Sequence, residues 1–340
     1  MKAMVLAAGL GTRLRPLTDT CPKPLLPLMG QPLLAHVLRF LQQQGVSEVV
    51  INMHHQAARL QQWLATGAPR GLRLHLSHET QLLGTAGALK RVAALLRDAP
   101  FLVVNADVLI DLDLRAVWHW HRQQQALVTL VVRPDAAARA YGAVLVAASG
   151  RVVQISGRPP RPAPAAARET IFTGVQVLSP EVLEAIPATG AVSTTRDVYP
   201  ALLAAGQAVL AYEHTGYWLD AGVPARYLQA HWDLLAGRRG WGWLAALPAA
   251  TTVVHAHQPP PHAGLVPPVV LGAGTELAPG ARVGPYAVLG AACRVAAGAR
   301  IAYSVLGDGV QVGAAAHLHG CIVAAGARVP AAATCSGVVA

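Results

Sequence analysis

Apolar residues follow two rhythms along the first 236 positions. Ala3–Ala8, Glu48–Met53, Leu72–Leu76 and Phe101–Asn105 are short, mostly apolar runs of the kind that forms buried strands. Between them, Leu33, Leu34, Val37, Leu38 and Leu41 recur at helical spacing and stop at Gly45, and Gln56–Leu64 and Ala86–Leu96 read as further helices. Strands interleaved with helices predict an α/β layered sheet. Ala126–Val132, Ala143–Val146 and Ile171–Leu178 read as strands with weaker helical separation, so the second half of the sheet is expected to be more antiparallel. Arg158–Pro164, rich in Pro and Arg, reads as a surface loop.

From Leu271 the rhythm changes to a period of six. Aliphatic residues fall at Leu271, Leu277, Val283, Leu289, Val295 and Ile301, then after two five-residue steps at Leu306, Val312, Leu318, Val323 and Val329. Small residues follow many of them, among them Gly272, Gly284, Gly290, Gly307 and Gly313. A hexad suits a triangular solenoid in which each face is a short strand and each corner turns on a small residue. A low-complexity Ala/Gly tail has no reason to keep phase over so many positions. The pattern predicts a parallel β-helix of about three and a half coils. The domains expected are 1–236, a linker over 237–266 and the β-helix over 267–340. The linker carries Trp241, Trp243, His255, His257 and His262, and His255-x-His257 alone is weak for a metal site.

Composition narrows the class. With 53% hydrophobic and 13% charged residues in 340, this is a core-forming chain. It lacks an uninterrupted apolar run of about 18 residues, which excludes an ordinary spanning helix. Lys2 and the apolar Ala3–Leu10 imitate a secretion signal, but the run is short and leads into Gly11, Thr12, Arg13 and Arg15. A cytoplasmic protein with no membrane partner is expected. Cys21, Cys293, Cys321 and Cys335 show no zinc spacing and no disulfide framework. The net charge of +10 comes from scattered arginines, and only Lys2, Lys23 and Lys90 are lysines. That scatter suits small phosphorylated ligands better than nucleic acid, which is not an expected partner.

Two segments then carry the chemistry. Ala7-Ala8-Gly9-Leu10-Gly11-Thr12-Arg13-Leu14-Arg15 follows a strand, as a phosphate-cradling loop would. It lacks the third glycine of a dinucleotide fingerprint and the Lys-Ser/Thr of a P-loop. It offers a glycine turn with exposed N–H groups and an adjacent guanidinium, which suits a polyphosphate. In Pro22-Lys23-Pro24-Leu25-Leu26-Pro27 the flanking prolines restrict the backbone that presents Lys23.

Together these segments, with Pro16-Leu17-Thr18 between them, resemble the signature of sugar-1-phosphate nucleotidyltransferases, the nucleotide-sugar pyrophosphorylases. The resemblance covers about residues 1–236, and the hexad tail resembles the left-handed parallel β-helix that many members carry. It implies a Rossmann-like mixed sheet, Mg²⁺ as cofactor, and an NTP and a sugar 1-phosphate as substrates. It places Ala8, Gly9, Gly11, Thr12 and Arg13 on the triphosphate and Lys23 on the reacting phosphates. Asp107 and Asp220, each at a strand end, match the pair of metal-binding aspartates; Arg13, Lys23 and Asp107 are thus the catalytic candidates. Glu79, Gly84 and Thr85 match the base-reading segment. A carboxylate accepts from the two donors of guanine, whereas an amide suits uracil or thymine, so Glu79 favours GTP. The Leu-Gly-Thr-Ala-Gly string looks most like mannose-1-phosphate guanylyltransferases.

On the sugar side, Gly142, Arg158, Thr173 and Gly174 are the candidates, with Tyr141 and Arg196-Asp197 nearby in the motifs. Gly157-Arg158-Pro159 stands where the family usually has Glu-Lys-Pro, which removes an acceptor for a sugar hydroxyl. A UTP- or dTTP-dependent enzyme for glucose or amino-sugar phosphates, and a non-catalytic regulatory subunit, remain as alternatives. An acyltransferase using His317 or His319 as base is a third, since hexapeptide β-helices also carry that chemistry. Short β-helices more often mediate assembly, so a homo-oligomer is expected.

Overall fold

The computed structural model describes residues 1–160, 162, 166–237, 252–254 and 264–339. The chain divides into two compact units that are discontinuous in sequence, Met1–Gly9 with Val37–Leu219, and Leu10–His36 with Asp220–Ala340. Most of the expected linker, including Trp241, Trp243, His255, His257 and His262, lies outside the described residues, as does part of the Arg158–Pro164 loop.

The first unit is built on a nine-stranded mixed sheet. Its strands are β1 (Lys2–Leu6), β2 (Glu48–Met53), β3 (Arg73–His78), β4 (Phe101–Asn105), β5 (Val128–Pro134), β6 (Val144–Val146), β7 (Val152–Ile155), β8 (Arg168–Leu178) and β9 (Val209–Glu213). The main path runs β7-β6-β8-β4-β1-β2-β3, with β5 on β8 and β9 on β5. Pairings β4-β1-β2-β3 are parallel, and β8 runs antiparallel to β4, β5 and β6, which matches the expected change of character. The helices are α1 (Leu33–Gln43, whose residues from Val37 belong here), α2 (Ala57–Gly67), α3 (Gly84–Arg91) and α4 (Leu114–Gln123). The helix expected over Ala86–Leu96 breaks at Val92 and resumes over Ala93–Leu96. Helix α4 is started by Asp113, whose carboxylate accepts from Arg115 N–H and Ala116 N–H.

Register decides where side chains of the parallel strands emerge. Leu6 pairs with Asn52 on one side and Asn105 on the other, and Asn52 pairs with Ser77. Ala7-Ala8, Glu79 and Asp107 therefore all follow strand ends along one edge, the carboxyl edge where α/β sheets gather ligands.

The second unit contains the segment Leu10–His36, helix α5 (Pro224–Leu235) and the β-helix. The β-helix strands stack in parallel at steps of one coil: Leu271 on Leu289 on Leu306 on Val323, Leu277 on Val295 on Val312 on Val329, and Val283 on Ile301 on Leu318 on Cys335. The hexad aliphatics fill this core, with Leu277 half-buried at its margin. The prism is a left-handed β-helix, and its three faces differ in chemistry. Two carry exposed polar columns, Glu276-Arg294-Gln311-Arg328 and Arg282-Arg300-His317-Thr334. The third carries Val270, Val288, Val305 and Ile322, all buried despite pointing out of the coil. It is covered within this unit: α5 touches the strand His317–Val323, and Trp232 sits edge-on to Tyr303 at 5.7 Å. Pro27, Met29 and His231 line a cavity of about 270 Å³ against Val270, Val288 and Val305.

Candidate active site

The glycine loop and the lysine segment meet inside the second unit. Gly11 adopts φ +67°, and Thr12–Leu14 follow as a 3₁₀ turn closed by Leu14 N–H donating to Gly11 O at 2.9 Å. Thr18 closes the loop from the other side, its hydroxyl donating to the same carbonyl at 2.9 Å. A Cβ on Gly11 would lie 2.8 Å from Thr18 Cγ2 and 3.2 Å from Lys23 Cβ. Glycine is thus required twice, for its left-handed backbone and for the close approach of Lys23. Thr12 and Arg13 are exposed, and Lys23 is half-buried. Helix α5 secures the far end of this segment, where Tyr227 donates its hydroxyl to Pro27 O. His36 meets Leu28 O at 3.0 Å.

Asp220 belongs to the same unit. A Cβ on Gly222 would collide with Asp220 Oδ1 and lie 2.8 Å from an Arg13 guanidinium nitrogen. The carboxylate and the guanidinium therefore crowd around one bare glycine. Gly11, Thr12, Arg13, Lys23 and Asp220 are brought together as far as these contacts reach.

Gly11→Ala is expected to raise the KM for NTP by about tenfold to a hundredfold, since about 1–2 kcal/mol of backbone strain is added to the overlap with Thr18. Steady-state kinetics on the purified variant checks it. An unchanged KM would mean that the loop does not hold the nucleotide.

The first unit holds the other candidates. Ala8 is buried and Gly9 exposed, with open space where a Gly9 Cβ would stand. Asp107 is half-buried just beyond β4. Glu79 is 1% exposed. Its Oε1 accepts from Asn52 Nδ2 at 2.7 Å and its Oε2 from Leu83 N–H at 3.1 Å. Asn52 Oδ1 in turn accepts from Ala7 N–H at 2.8 Å. Sequence reading missed Asn52; the signal was an amide in the otherwise apolar end of a buried strand.

Gly84 has φ +72° at the start of α3, and its Cβ would meet Val192 O at 2.5 Å. The first free N–H groups of α3 are spoken for, because Ala86 and Gly87 N–H both donate to Val192 O. The Thr85 hydroxyl is held by Thr194, through its N–H at 2.8 Å and its hydroxyl at 3.0 Å. Gly84 is the exposed member of this pair, and Thr85 acts within the fold.

On the sugar side, Thr173 and Gly174 form an irregularity in β8 between Phe172 and Gln176. Thr173 is placed otherwise than expected of a ligand-facing residue. It is buried, its hydroxyl donates to Val131 O at 2.8 Å and its carbonyl accepts from Trp218 Nε1 at 2.8 Å. Gly174, at φ +82°, brings bare backbone to Asn105, whose Nδ2 would stand 2.7 Å from a Cβ there. Gly142, at φ +85°, faces Ser156 Oγ. Arg158 is exposed, with a long 3.4 Å contact to Arg196 O, and Asp197 accepts from Ser193 N–H at 2.7 Å. His317 stands in an exposed arginine column, and the His319 ring lies tilted at 48° to that of Tyr303, with centroids 5.2 Å apart.

Both parts of the chain are similar to known proteins. A sequence profile of nucleotidyl transferases matches residues 2–237, and one of GlmU-like C-terminal hexapeptide regions matches residues 254–337. The mannose-1-phosphate guanylyltransferase of Mycobacterium tuberculosis is 34% identical over 83% of this chain and 77% of its own length. The UTP--glucose-1-phosphate uridylyltransferase of Synechocystis sp. is 32% identical, over 68% of this chain and 62% of its own. The mannose-1-phosphate guanylyltransferase catalytic subunit beta of Drosophila pseudoobscura pseudoobscura is 34% identical, over 67% of this chain and 60% of its own. The match thus spans less than two thirds of the latter two relatives. The crystal structure of HddC from Yersinia pseudotuberculosis complexed with GMP-PN shares the fold, with a TM-score of 0.58 and 23% identity over 67% of this chain and 97% of that one.

Proposed function

Because the chain belongs to the nucleotidyl transferase family, as a sugar-1-phosphate nucleotidyltransferase, we propose that it transfers GMP from GTP to mannose 1-phosphate. The observation that carries the base is Glu79, a carboxylate whose two oxygens each keep a lone pair after their bonds to Asn52 and Leu83. Guanine offers two adjacent donors to such a pair. The names of the relatives from Mycobacterium tuberculosis and Drosophila pseudoobscura pseudoobscura support both base and sugar. The Synechocystis relative favours a second reading, UTP with glucose 1-phosphate.

In this mechanism an oxygen of the sugar phosphate attacks the α-phosphorus of the NTP. A new P–O bond forms as the bond to the β-phosphate oxygen breaks, and pyrophosphate leaves. No protein nucleophile is needed. Gly11 and Thr12 hold the triphosphate, and Arg13 and Lys23 neutralise charge where it grows. Asp107 and Asp220 would hold Mg²⁺, which suits one or two carboxylates with phosphate and water as its other ligands. The chemistry of the two side chains supports this reading: each is a half-buried carboxylate, the hard oxygen donor that Mg²⁺ takes. When bound, the metal would lower the charge of the reacting phosphates. No helix among the described residues is long and apolar enough to cross a membrane. A cytoplasmic site of action and assembly through the β-helix complete the proposal.

Pyrophosphate release with Mg²⁺, crossing GTP, UTP, dTTP and ATP with mannose, glucose and N-acetylglucosamine 1-phosphates, tests it. Release with GTP and mannose 1-phosphate at more than tenfold the rate of any other pair is expected. A maximum at UTP with glucose 1-phosphate would establish the second reading instead.

A further inference from the structure

A buried asparagine sits where the sequence pattern calls for an aliphatic residue. Strand β2 runs Val49, Val50, Ile51, Asn52, Met53, all buried, and Asn52 is 4% exposed. Burying an amide in a strand is unfavourable unless every polar atom is matched. Here they are matched in a way that admits one orientation. Asn52 Oδ1 accepts from Ala7 N–H at 2.8 Å, and Nδ2 donates to Glu79 Oε1 at 2.7 Å. Rotating the amide by half a turn would set donor against donor at Ala7 and acceptor against acceptor at Glu79.

The second oxygen of Glu79 is fixed just as firmly. Oε2 accepts from Leu83 N–H at 3.1 Å, while the backbone of Glu79 is tied to Met53 O by its own N–H at 2.8 Å. Residue 79 therefore faces two donors, one on each oxygen. A carboxylate satisfies both, whereas an amide would turn its NH₂ on one of them. With asparagine at 52, glutamine at 79 leaves one buried donor facing another, a costly arrangement.

We propose that Asn52 determines base selection by forcing position 79 to be an acceptor on both atoms. Asn52 is a positioning residue: it acts on the base through Glu79, and it ties that carboxylate to the first backbone N–H beyond β1, where the glycine loop begins. The inference rests on the reading that residue 79 faces the base, and it extends that reading to a pair of residues acting as a code. Asn52 with Glu79 specifies a guanine-type edge with two donors. The exchanged pair, aspartate at 52 with glutamine at 79, specifies an edge that mixes donor and acceptor, as in uracil and thymine.

The exchange keeps every bond. In the double variant Asn52→Asp/Glu79→Gln, the new carboxylate accepts from Ala7 N–H and from the Gln Nε2, while the Gln Oε1 accepts from Leu83 N–H. Total charge is unchanged. Each single variant breaks the set: Glu79→Gln opposes two donors, and Asn52→Asp opposes two carboxylates.

The test measures dissociation constants for GTP and UTP by calorimetry, so turnover is not required, together with melting temperatures of wild type, both single variants and the double variant. Both single variants are expected to melt below wild type by several degrees and to bind GTP at least about tenfold more weakly, a penalty of about 1.4 kcal/mol. The double variant is expected to regain the wild-type melting temperature while its GTP-to-UTP affinity ratio falls at least about tenfold. Recovery of stability with an unchanged ratio would overturn the proposal, leaving Asn52 as a structural residue alone. Failure of the double variant to recover stability would overturn it as well, because the exchanged bonds must form. A wild type that prefers UTP refutes the GTP reading separately, and the shift produced by the exchange still decides the role of Asn52.

Discussion

Asp107→Asn is expected to lower kcat by about 10³-fold and to leave the melting temperature within about 2 °C of wild type, the magnitude seen when one group that stabilises developing charge is removed. The change is nearly isosteric and lies in a turn just beyond β4, half-buried at the carboxyl edge of the sheet, not in the core. The core there is built from Phe101, Leu102, Val103 and Val104, which the substitution does not touch. What disappears is a negative charge at a position proposed to hold Mg²⁺ against the phosphates. Loss of an interaction made in the transition state lowers kcat and kcat/KM together, whereas loss of ground-state binding raises KM alone. Pyrophosphate-release kinetics beside a melting curve separates these outcomes from misfolding. Turnover within about threefold of wild type in a folded variant would remove Asp107 from the metal site.

The hexad in the sequence led to the β-helix because each core position is reached by a fixed step along the chain. Leu289, Ile301 and Val312 could be assigned to the core with no knowledge of any long-range contact. The apolar third face was harder to see. Val270, Val288, Val305 and Ile322 sit among other aliphatic residues, and only the covering helix Pro224–Leu235 reveals that they point outward. Helix α4, with Trp118, His119, Trp120 and His121, was missed because its apolar stripe is diluted by polar residues, although Asp113 caps it. At the site, the glycine loop and Lys23 were legible as local segments whose backbone demands are written in Gly and Pro. Thr173 and Thr85 were not, because a hydroxyl that serves the fold and one that faces a ligand look alike in sequence. Their partners, Val131 and Thr194, lie 42 and 109 residues away. Asn52 was missed for the same reason, since its role exists only once Ala7 and Glu79 are set beside it.

Between pH 6.5 and 4 the protein is expected to lose stability steeply, because three buried histidines are neutral in the fold. Burial pushes His36 down to about 4, against the pull of the Leu28 and Gln31 backbone. Burial likewise pushes His121 down to about 4, with Glu181 opposing, and this ring lies between Thr129 Oγ1 at 2.7 Å and Ser179 Oγ at 3.1 Å. His231 goes lowest, to about 3, again by burial. It faces the Pro27 carbonyl already taken by Tyr227, and neither ring nitrogen makes a hydrogen bond of ordinary geometry.

A histidine with a lowered folded value binds fewer protons folded than unfolded, so its stabilisation is complete above about pH 6.5 and is lost as pH falls toward the folded value. pH 5 lies about 1.5 units below the unfolded value and above all three folded values, so the loss there is about 2 kcal/mol per histidine and about 6 kcal/mol for three. That is a large share of a typical folding free energy of about 5–15 kcal/mol. Glu48 and Glu169, whose carboxyls are held low beside Lys2 and Arg139, lose their contribution only below the ordinary carboxylate range, so the upper window belongs to the histidines. The loss is uneven along the chain. His36 and His231 belong to the unit of the glycine loop and β-helix, and His121 to the sheet unit. Urea unfolding at pH 7.5 and 5.0 should therefore show the larger drop, about 4 kcal/mol, in the former. The double variant His36→Gln/His231→Phe, which keeps a donor for Leu28 O and a ring against Tyr227, should abolish most of that drop. Superimposable wild-type unfolding curves at the two pH values would refute the assignment of these rings as neutral.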